Sequence, residues 1–247
     1  MKLIAERGYL IPAINTDTID YVACAERLKH SILHWHPGAN VTILTQDDLP
    51  YGDKGGQAND WQVFYASPYR QTIKLEADMF CSSPIDHHWA LFENRDVVIS
   101  QGCRDLYDQP SKSRHYRKLF DQSNLPDVYN AITYWRRSEV AKTFFTWVRQ
   151  IFENWEQYKT LLKFPDPVPT TDVVYAMAAT ILGVDQVCLP PGVGPNIVHM
   201  KKHIIGTQTE NWSKELVWEI QHGNLRINTV AQWGLVHYQV KEWCKHD

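Results

Sequence analysis

The sequence predicts an α/β fold: a single large domain with a mostly parallel central sheet, flanked by helices, and a short C-terminal extension. The first 45 residues alternate strand, helix and strand patterns, an order typical of parallel sheets covered by helices. The length of 247 residues favours one large α/β domain over two independent cores. Because ligands of such sheets bind at the carboxyl ends of the strands, we expect the functional residues there.

Apolar periodicity assigns the elements along the chain. The best-marked helix covers residues 138–159, where apolar side chains recur every three or four positions after Ser138, the expected N-cap. Residues 46–60 are polar and contain glycines, which predicts a loop near the edge of the sheet. Strands are predicted at 8–14, 40–45, 72–75, 96–100, 131–134, 187–189, 197–200 and 235–240, and helices at 17–34, 61–67, 138–159 and 171–182.

Composition excludes several classes of protein. Hydrophobic residues make up 44% and charged residues 21%, a globular balance that excludes a long disordered tail. Five cysteines without a close pair argue against a disulfide framework or a zinc ribbon. The chain shows neither a signal-peptide pattern nor a window of about 18 apolar residues. We therefore expect a soluble, cytoplasmic protein that does not cross a membrane.

Two carboxylates follow the strand at 72–75, in the segment TIKLEADMF. Glu76 and Asp78 are separated by one small residue, and residues two apart in an extended chain point to the same side. Two hard oxygen ligands at the edge of a parallel sheet suit Mg²⁺ or Mn²⁺ held jointly with phosphate oxygens. Taken alone, the pattern also fits a solvated turn.

The segment LEADM resembles the Asp-x-Asp motif of nucleotide-sugar transferases with the GT-A fold, with Glu76 in place of the first aspartate. The resemblance covers nearly the whole chain and is strongest to glycogenin-like, retaining members. It implies a hexosyl- or pentosyltransferase that uses a UDP-sugar donor and a Mn²⁺ or Mg²⁺ cofactor bound by Asp78 and Glu76. Residues 1–189 would form the nucleotide-sugar-binding core, and residues 190–247 would complete the metal and acceptor site.

Three further segments resemble the same family. IPAINTDTIDY resembles the first strand and loop, which implies base and ribose contacts from Asn15 and Tyr21. YNAITYW resembles the Asn-Ala-Gly strand, which implies a sugar contact from Asn130. TTDVVYAMA resembles the Asp-Gln helix start, which implies that Asp172 orients the transferred sugar. Asp78, Asp172 and Asn130 are thus the predicted catalytic residues, although Asn15 also fits an Asx turn and Asp172 a helix N-cap.

A late histidine is implied at the metal site. VHMKK resembles the strand that supplies it, so we take His199 as the ligand and Lys201 as the lysine directed at the diphosphate. His237 in HYQVK is the rival ligand, because His237 and Lys241 resemble the late His-Tyr and Lys elements of the family. For His199 the structural alternative is a core histidine.

The acceptor is predicted from a second resemblance, to small transferases of tailed phages, carried by SPYRQTIKLEADM, LPDVYNAITYW and the tail NTVAQWGLVHYQVKEW. Some of these modify hydroxymethylated pyrimidines in DNA, which implies hydroxymethylcytosine in double-stranded DNA as acceptor and no obligate protein partner. The net charge of −3 does not indicate a general DNA binder, but basic side chains cluster between residues 104 and 137. The candidate phosphate contacts are Arg114, Arg117, Arg136 and Arg137.

Two alternatives remain open at this stage. One is a glycosyltransferase that acts on a glycan, lipid or protein acceptor. The other is a nucleotide-binding module that has lost catalysis through the change to Glu76. Neither the sugar, glucose or a pentose such as arabinose, nor the oligomeric state follows from the residues.

Overall fold

The computed structural model describes residues 3–111, 118–164, 167–190, 193–195 and 197–245. Within these ranges the strands are β1 (Ala5–Pro12), β2 (Val41–Leu44), β3 (Tyr69–Leu75), β4 (Met79–Cys81), β5 (Val97–Gln101), β6 (Val128–Arg136), β7 (Ile197–His199), β8 (Trp218–Gln221), β9 (Asn224–Ile227), β10 (Val230–Ala231) and β11 (Leu235–His237). The helices are α1 (Tyr21–Trp35), α2 (Val63–Ala66), α3 (His87–Phe92), α4 (Lys118–Gln122), α5 (Glu139–Glu153), α6 (Trp155–Leu162), α7 (Thr171–Leu182), α8 (Val184–Val187) and α9 (Lys202–Ile205). Short 3₁₀ turns cover Gln46–Asp48, Gly56–Gln62, Trp212–Lys214 and Lys241–Lys245.

The central sheet of the described chain has the strand order β2-β1-β3-β6-β5. β1 pairs in parallel with both β2 and β3, whereas β6 pairs antiparallel with both β3 and β5. The strands β2, β1, β3 and β5 therefore run in one direction, and β6 runs against them. The predicted mostly parallel α/β fold is confirmed.

Helices cover both faces of this sheet because its strands are apolar on both sides. Along β1, Leu10 packs in one core with Phe145 of α5, whereas Ile11 on the opposite face packs in a second core with Leu28 of α1. Continuous apolar runs of this kind are typical of strands buried between two helical layers. The central sheet is thus held rigidly beneath the loops at its carboxyl edge.

A second, smaller sheet brings distant segments of the chain together. Its order is β4-β11-β7, with β11 antiparallel to β4 and parallel to β7. In this register His237 of β11 lies between Met79 of β4 and His199 of β7. Since β4 begins directly after Asp78, the sheet places residues 197–199 and 235–237 beside the carboxylates.

Two predicted elements differ from those observed. The helix predicted at 138–159 ends at Asn154 and continues as α6, because the Asn154 side chain donates to the carbonyl of Gln150 at 2.8 Å and competes with the helical backbone bonds. The strand predicted at 187–189 is wrong. Val187 ends α8, and Cys188 forms only an isolated bridge to Ile99.

Among the described residues, none of the helices combines the length and apolar character needed to cross a membrane.

Candidate active site

The two carboxylates follow β3 directly, at the carboxyl edge of the central sheet. The backbone N–H of Glu76 still donates to the carbonyl of Ala131 on β6, at 3.2 Å, so the strand holds its position up to this residue. Only 6% of the Asp78 side chain is exposed, compared with 29% for Glu76. Asp78 is therefore the more enclosed of the two carboxylates.

His237 joins the carboxylates from β11. Its Nε2 lies 2.9 Å from Oδ2 of Asp78, and its Nδ1 lies 3.3 Å from Oε2 of Glu76. The Tyr129 hydroxyl is hydrogen-bonded to the same Nδ1, and burial holds the pKa of Tyr129 well above its usual value, so that the hydroxyl keeps its proton. The Nζ of Lys241 forms an ion pair with Oδ2 of Asp78.

These charges determine the ionisation of one another. Burial alone would raise the pKa of Asp78, but the charges and hydrogen bonds of His237 and Lys241 outweigh it and hold that pKa well below its usual range. Burial would lower the pKa values of His237 and Lys241, but the Asp78 carboxylate raises both. Burial raises the pKa of Glu76, against the opposing charge of His237. Asp78 is therefore the firmly ionised carboxylate of the group.

The group fits a divalent cation. One oxygen each from Glu76 and Asp78 and one nitrogen from His237 lie within 4.8 Å of one another, and in the described part of the chain they are the one set of three such side chains that meets this condition. Carboxylate oxygens with an imidazole nitrogen match the donor preferences of Mn²⁺, and carboxylates suit Mg²⁺. The predicted pair of carboxylates thus acquires a third donor from a segment far along the chain.

The structure places the two candidate histidines differently with respect to the carboxylates. His199 lies one strand further from the carboxylates, and its ring stacks on that of His237 with centroids 5.2 Å apart and planes 7° apart. The Tyr129 ring stacks on His199 from 4.7 Å. His199 therefore supports the histidine at the site, whereas His237, the rival ligand, faces the carboxylates. Likewise, Lys241 is the lysine that contacts Asp78, while Lys201 follows β7 at the start of α9.

Asn15 and Tyr21 lie on the loop and helix that follow β1. The Oδ1 of Asn15 accepts a hydrogen bond from the backbone N–H of Val22 at 3.0 Å, so Asn15 helps to hold the start of α1. The Tyr21 ring lies 5.8 Å from Nζ of Lys241, which places it next to the site. A contact of either residue with a nucleoside stays a prediction.

A cavity of about 360 Å³ lies beside Lys241. Residues 18–20 line one side of it and residues 239–245 much of the other. Lys241, which contacts Asp78, is one of the residues that line the cavity, and the lining contains both polar and apolar side chains. It therefore offers room for an organic group next to the cluster of charges.

The side chain of Asn130 is engaged within the fold. It is completely buried, its Nδ2 donates to Oδ2 of Asp60 at 3.3 Å, and its Oδ1 accepts from the hydroxyl of Thr133 at 2.6 Å. Its backbone N–H donates to Oδ1 of Asp172 at 2.7 Å. The fold therefore uses the Asn130 amide internally, and a contact of this side chain with the transferred sugar stays a prediction.

Asp172 lies in the first turn of α7, but it is not the N-cap. The cap is Thr170, whose hydroxyl accepts from the backbone N–H of Val173. The N-cap reading of Asp172 is therefore wrong, and its carboxylate instead contacts the backbone of Asn130 on β6. A sugar-orienting role for Asp172 stays a prediction.

An ion pair that the sequence did not predict lies next to these residues. Nζ of Lys74 lies 2.8 Å from Oδ1 of Asp60, and both side chains are largely buried. The lysine interrupts an otherwise apolar strand in TIKLE, and a charge at such a position signals a buried partner. The partner of Lys74, Asp60, is the last residue of the segment 46–60 that the sequence predicts to be a polar loop.

Arg136 and Arg137 lie at the edge of the central sheet opposite the carboxylates, and their contact with DNA stays a prediction. β6 runs antiparallel to β3, so Arg136 pairs with Gln71, five positions and about 17 Å before Glu76. Arg136 Nε lies 2.5 Å from Oδ1 of Asp96, and Arg137 donates to the backbone carbonyls of Ser67 and Tyr69, at the start of β3. Arg114 and Arg117 lie outside the described residues.

No family model matches the sequence, and no curated protein matches it. Several solved structures have a fold similar to that of this chain. An active-site mutant of the galactosyltransferase LgtC matches with a TM-score of 0.50 and 11% identity, over 94% of this chain and 86% of LgtC. The bifunctional glycosyltransferase WbbM matches with a TM-score of 0.48 and 10% identity, over 76% of this chain and 39% of that chain. Mouse xyloside xylosyltransferase 1 matches with a TM-score of 0.43 and 10% identity, over 75% of this chain and 84% of that chain.

At 11% identity the likeness to LgtC concerns the fold, and the chain spans only 39% of the WbbM chain. The predicted GT-A fold of glycosyltransferases is therefore the fold of this chain.

Proposed function

We propose that the chain is a metal-dependent glycosyltransferase, which moves a sugar from a UDP-sugar donor to an acceptor hydroxyl. The observation that carries the proposal is the group of Glu76, Asp78 and His237, which lies at the carboxyl edge of β3 in a GT-A fold. Ligands of α/β sheets bind at this edge. A cluster of ionised and buried side chains in such a position is typical of a functional site.

Asp78, His237 and Glu76 would hold the divalent ion, which when bound neutralises charge on a leaving diphosphate. Lys241 contributes a further positive charge at the same place, held by its ion pair with Asp78. Preorganised charge of this kind is usually the largest contribution to such reactions. The nucleoside of the donor would then occupy the adjacent cavity, which is bordered by residues 18–20.

Asp172 would orient the transferred sugar. The backbone N–H of Asn130 fixes one of its carboxylate oxygens, and α7 holds it near the carboxyl edge of the sheet. Orientation of the donor against the acceptor hydroxyl lowers the entropic part of the barrier. Because the leaving diphosphate can accept the proton of the acceptor, the mechanism requires no separate strong base on the protein.

For the acceptor we propose hydroxymethylated cytosine in double-stranded DNA, to which a glucosyl or arabinosyl group is transferred. The protein would then be encoded by a phage and act in the cytoplasm of the infected bacterium. The support is the resemblance of three segments to tailed-phage transferases, and not Arg136 or Arg137, which lie at the far edge of the sheet from the carboxylates. To reach a base in a duplex, the enzyme must flip it out or open the groove. A glycan, lipid or protein acceptor is the alternative outcome of the test.

The test is release of UDP from a panel of UDP-sugars with Mn²⁺, with and without DNA that contains hydroxymethylcytosine. Wild type is compared with Asp78→Asn, which removes the charge at constant shape, and with Glu156→Gln, which changes an exposed carboxylate on α6. We expect Asp78→Asn to lower turnover at least about 100-fold, because charge stabilisation dominates the chemistry. Glu156→Gln should behave as wild type.

Each outcome decides one part of the proposal. Turnover that requires the modified DNA supports both donor and acceptor. Turnover that does not depend on DNA supports the proposed glycosyltransferase activity and rejects DNA as the acceptor. Metal-independent UDP binding without turnover identifies a nucleotide-binding module, and the absence of both turnover and metal-dependent UDP binding refutes the proposed function.

A further inference from the structure

Lys74 and Asp60 form a buried ion pair close to the carboxylates. Their side chains are 2% and 12% exposed, and Lys74 lies on β3 two residues before Glu76. Taking both charges out of water is costly, and an apolar pair of similar volume often stabilises a fold as well or better. The pair therefore needs an explanation other than stability.

The Asp60 carboxylate is a shared acceptor for three elements. Oδ1 accepts from Lys74 of β3, and Oδ2 accepts from the hydroxyl of Tyr175 on α7 and from Nδ2 of Asn130 on β6. Burial and the Asp60 charge hold the pKa of Tyr175 well above its usual value, so its hydroxyl remains a donor. One carboxylate thus fixes the separation of β3, β6 and α7.

The same connections reach Asp172. It lies one turn before Tyr175 on α7, and its Oδ1 accepts from the backbone N–H of Asn130 at 2.7 Å. The segment of Asp60 makes a second connection, because Oε1 of Gln57 accepts from the backbone N–H of Thr171 at 3.0 Å. The start of α7 is therefore held on both sides of Asp172.

We propose that Asp60 is a positioning residue, which fixes Asp172 and the start of α7 relative to Glu76 and Asp78 and so sets where the donor sugar lies. The proposal rests on the proposed function, since it concerns the geometry of that site. Asp60 acts through its hydrogen bonds to other residues and does not itself contact the donor.

The test uses the double variant Asp60→Asn/Lys74→Met, which removes both buried charges and leaves no unpaired one. The asparagine that replaces Asp60 would retain a single acceptor oxygen in place of the carboxylate. The matched control is Glu139→Gln/Lys142→Gln, which removes an exposed ion pair with a 3.6 Å separation on α5. For each protein we would measure Tm, the Kd of UDP with Mn²⁺, and kcat at saturating donor.

We expect the double variant to keep a Tm near that of wild type and to bind UDP with Mn²⁺ within about threefold of the wild-type Kd. Its kcat should fall about 100-fold, the cost of a displacement near 1 Å in a reacting site. The control should change none of these values. A kcat within threefold of wild type, or an equal loss of UDP binding, would overturn the proposal.

Tyr175→Phe covers the case in which the double variant does not fold, because it removes one hydroxyl alone. The kcat of this variant should also fall, with an unchanged Kd for UDP. An unchanged kcat would contradict the positioning role of Asp60.

Hydrogen exchange separates this proposal from the proposed function. The backbone amide of Asn130, which donates to Asp172, should exchange faster in the double variant than in wild type and the control. If wild type turns over no donor, the proposed function fails, and this amide still decides whether Asp60 positions Asp172. An unchanged exchange rate would refute that role.

Discussion

At the scale of single residues, the site depends on which of two histidines faces the carboxylates. His199 and His237 are direct neighbours on paired strands, and their rings are nearly parallel. Only His237 also lies next to β4, which starts directly after Asp78. The register of one short strand therefore decides the third donor of the proposed metal site.

His237→Ala should weaken Mn²⁺-dependent UDP binding at least about tenfold, because it removes one of three donors. His199→Ala should weaken the binding less, since His199 acts through the ring of His237. Titration calorimetry of UDP with Mn²⁺ measures both variants. A greater loss for His199→Ala than for His237→Ala would show that the assignment of the ligand is wrong.

At the scale of an element, α3 carries a histidine that cannot easily take up a proton. His88 is buried and packs on Phe92 within the same helix. Burial lowers the pKa of His88 to about 3, with a further contribution from His87 and His36 and an opposing one from Asp86. The unfolded chain therefore binds a proton at His88 at higher pH than the folded chain does.

The stability of the protein should consequently fall as the pH drops from about 6.5 towards about 3. Between those values the unfolded state holds more protons, so the free energy of unfolding rises with pH, and His88 alone should cost about 2 kcal/mol by pH 5. Urea unfolding at pH 7.5 and pH 5 measures the difference.

Both His88→Phe and His88→Gln remove the titrating group. Each variant should therefore lose about 2 kcal/mol less than wild type between the two pH values, whatever its stability at pH 7.5. The phenylalanine variant would keep the aromatic packing and the glutamine variant would not, so the pair separates packing from protonation. An unchanged pH dependence in both would refute the assignment to His88.

At the scale of the whole molecule, a third core joins the C-terminal segment to the rest of the chain. Trp243 is completely buried and packs on Tyr238, Trp212 and Phe80. The guanidinium of Arg27 on α1 lies 4.4 Å from its ring centroid. This core holds the 3₁₀ turn that begins at Lys241, and so it supports the lysine at the site.

Trp243→Ala should lower the free energy of unfolding by about 3–5 kcal/mol, the usual cost of removing a large buried aromatic side chain. Trp233→Ala provides the control, because 63% of Trp233 is exposed and its removal should change the stability by less than about 0.5 kcal/mol. Urea unfolding compares the two variants. Equal losses would show that the third core does not contribute as the structure indicates.

The sequence by itself determined the features that depend on neighbouring residues. The helix predicted at 171–182 is α7 with the same bounds, and the strand predicted at 72–75 lies within β3. Local periodicity is sufficient for such elements. The proximity of Glu76 and Asp78 follows from their separation by a single residue, although residues 77 and 78 form a turn and do not extend the strand.

Only the tertiary structure decided the features that depend on strand register and direction. His237 reaches Asp78 across 159 positions in sequence, and the antiparallel direction of β6 moves Arg136 away from the carboxylates. The amide of Asn130 is likewise used within the fold by Asp60, which lies 70 positions away. Such contacts form between segments whose spacing carries no local signal, so only the packed chain reveals them.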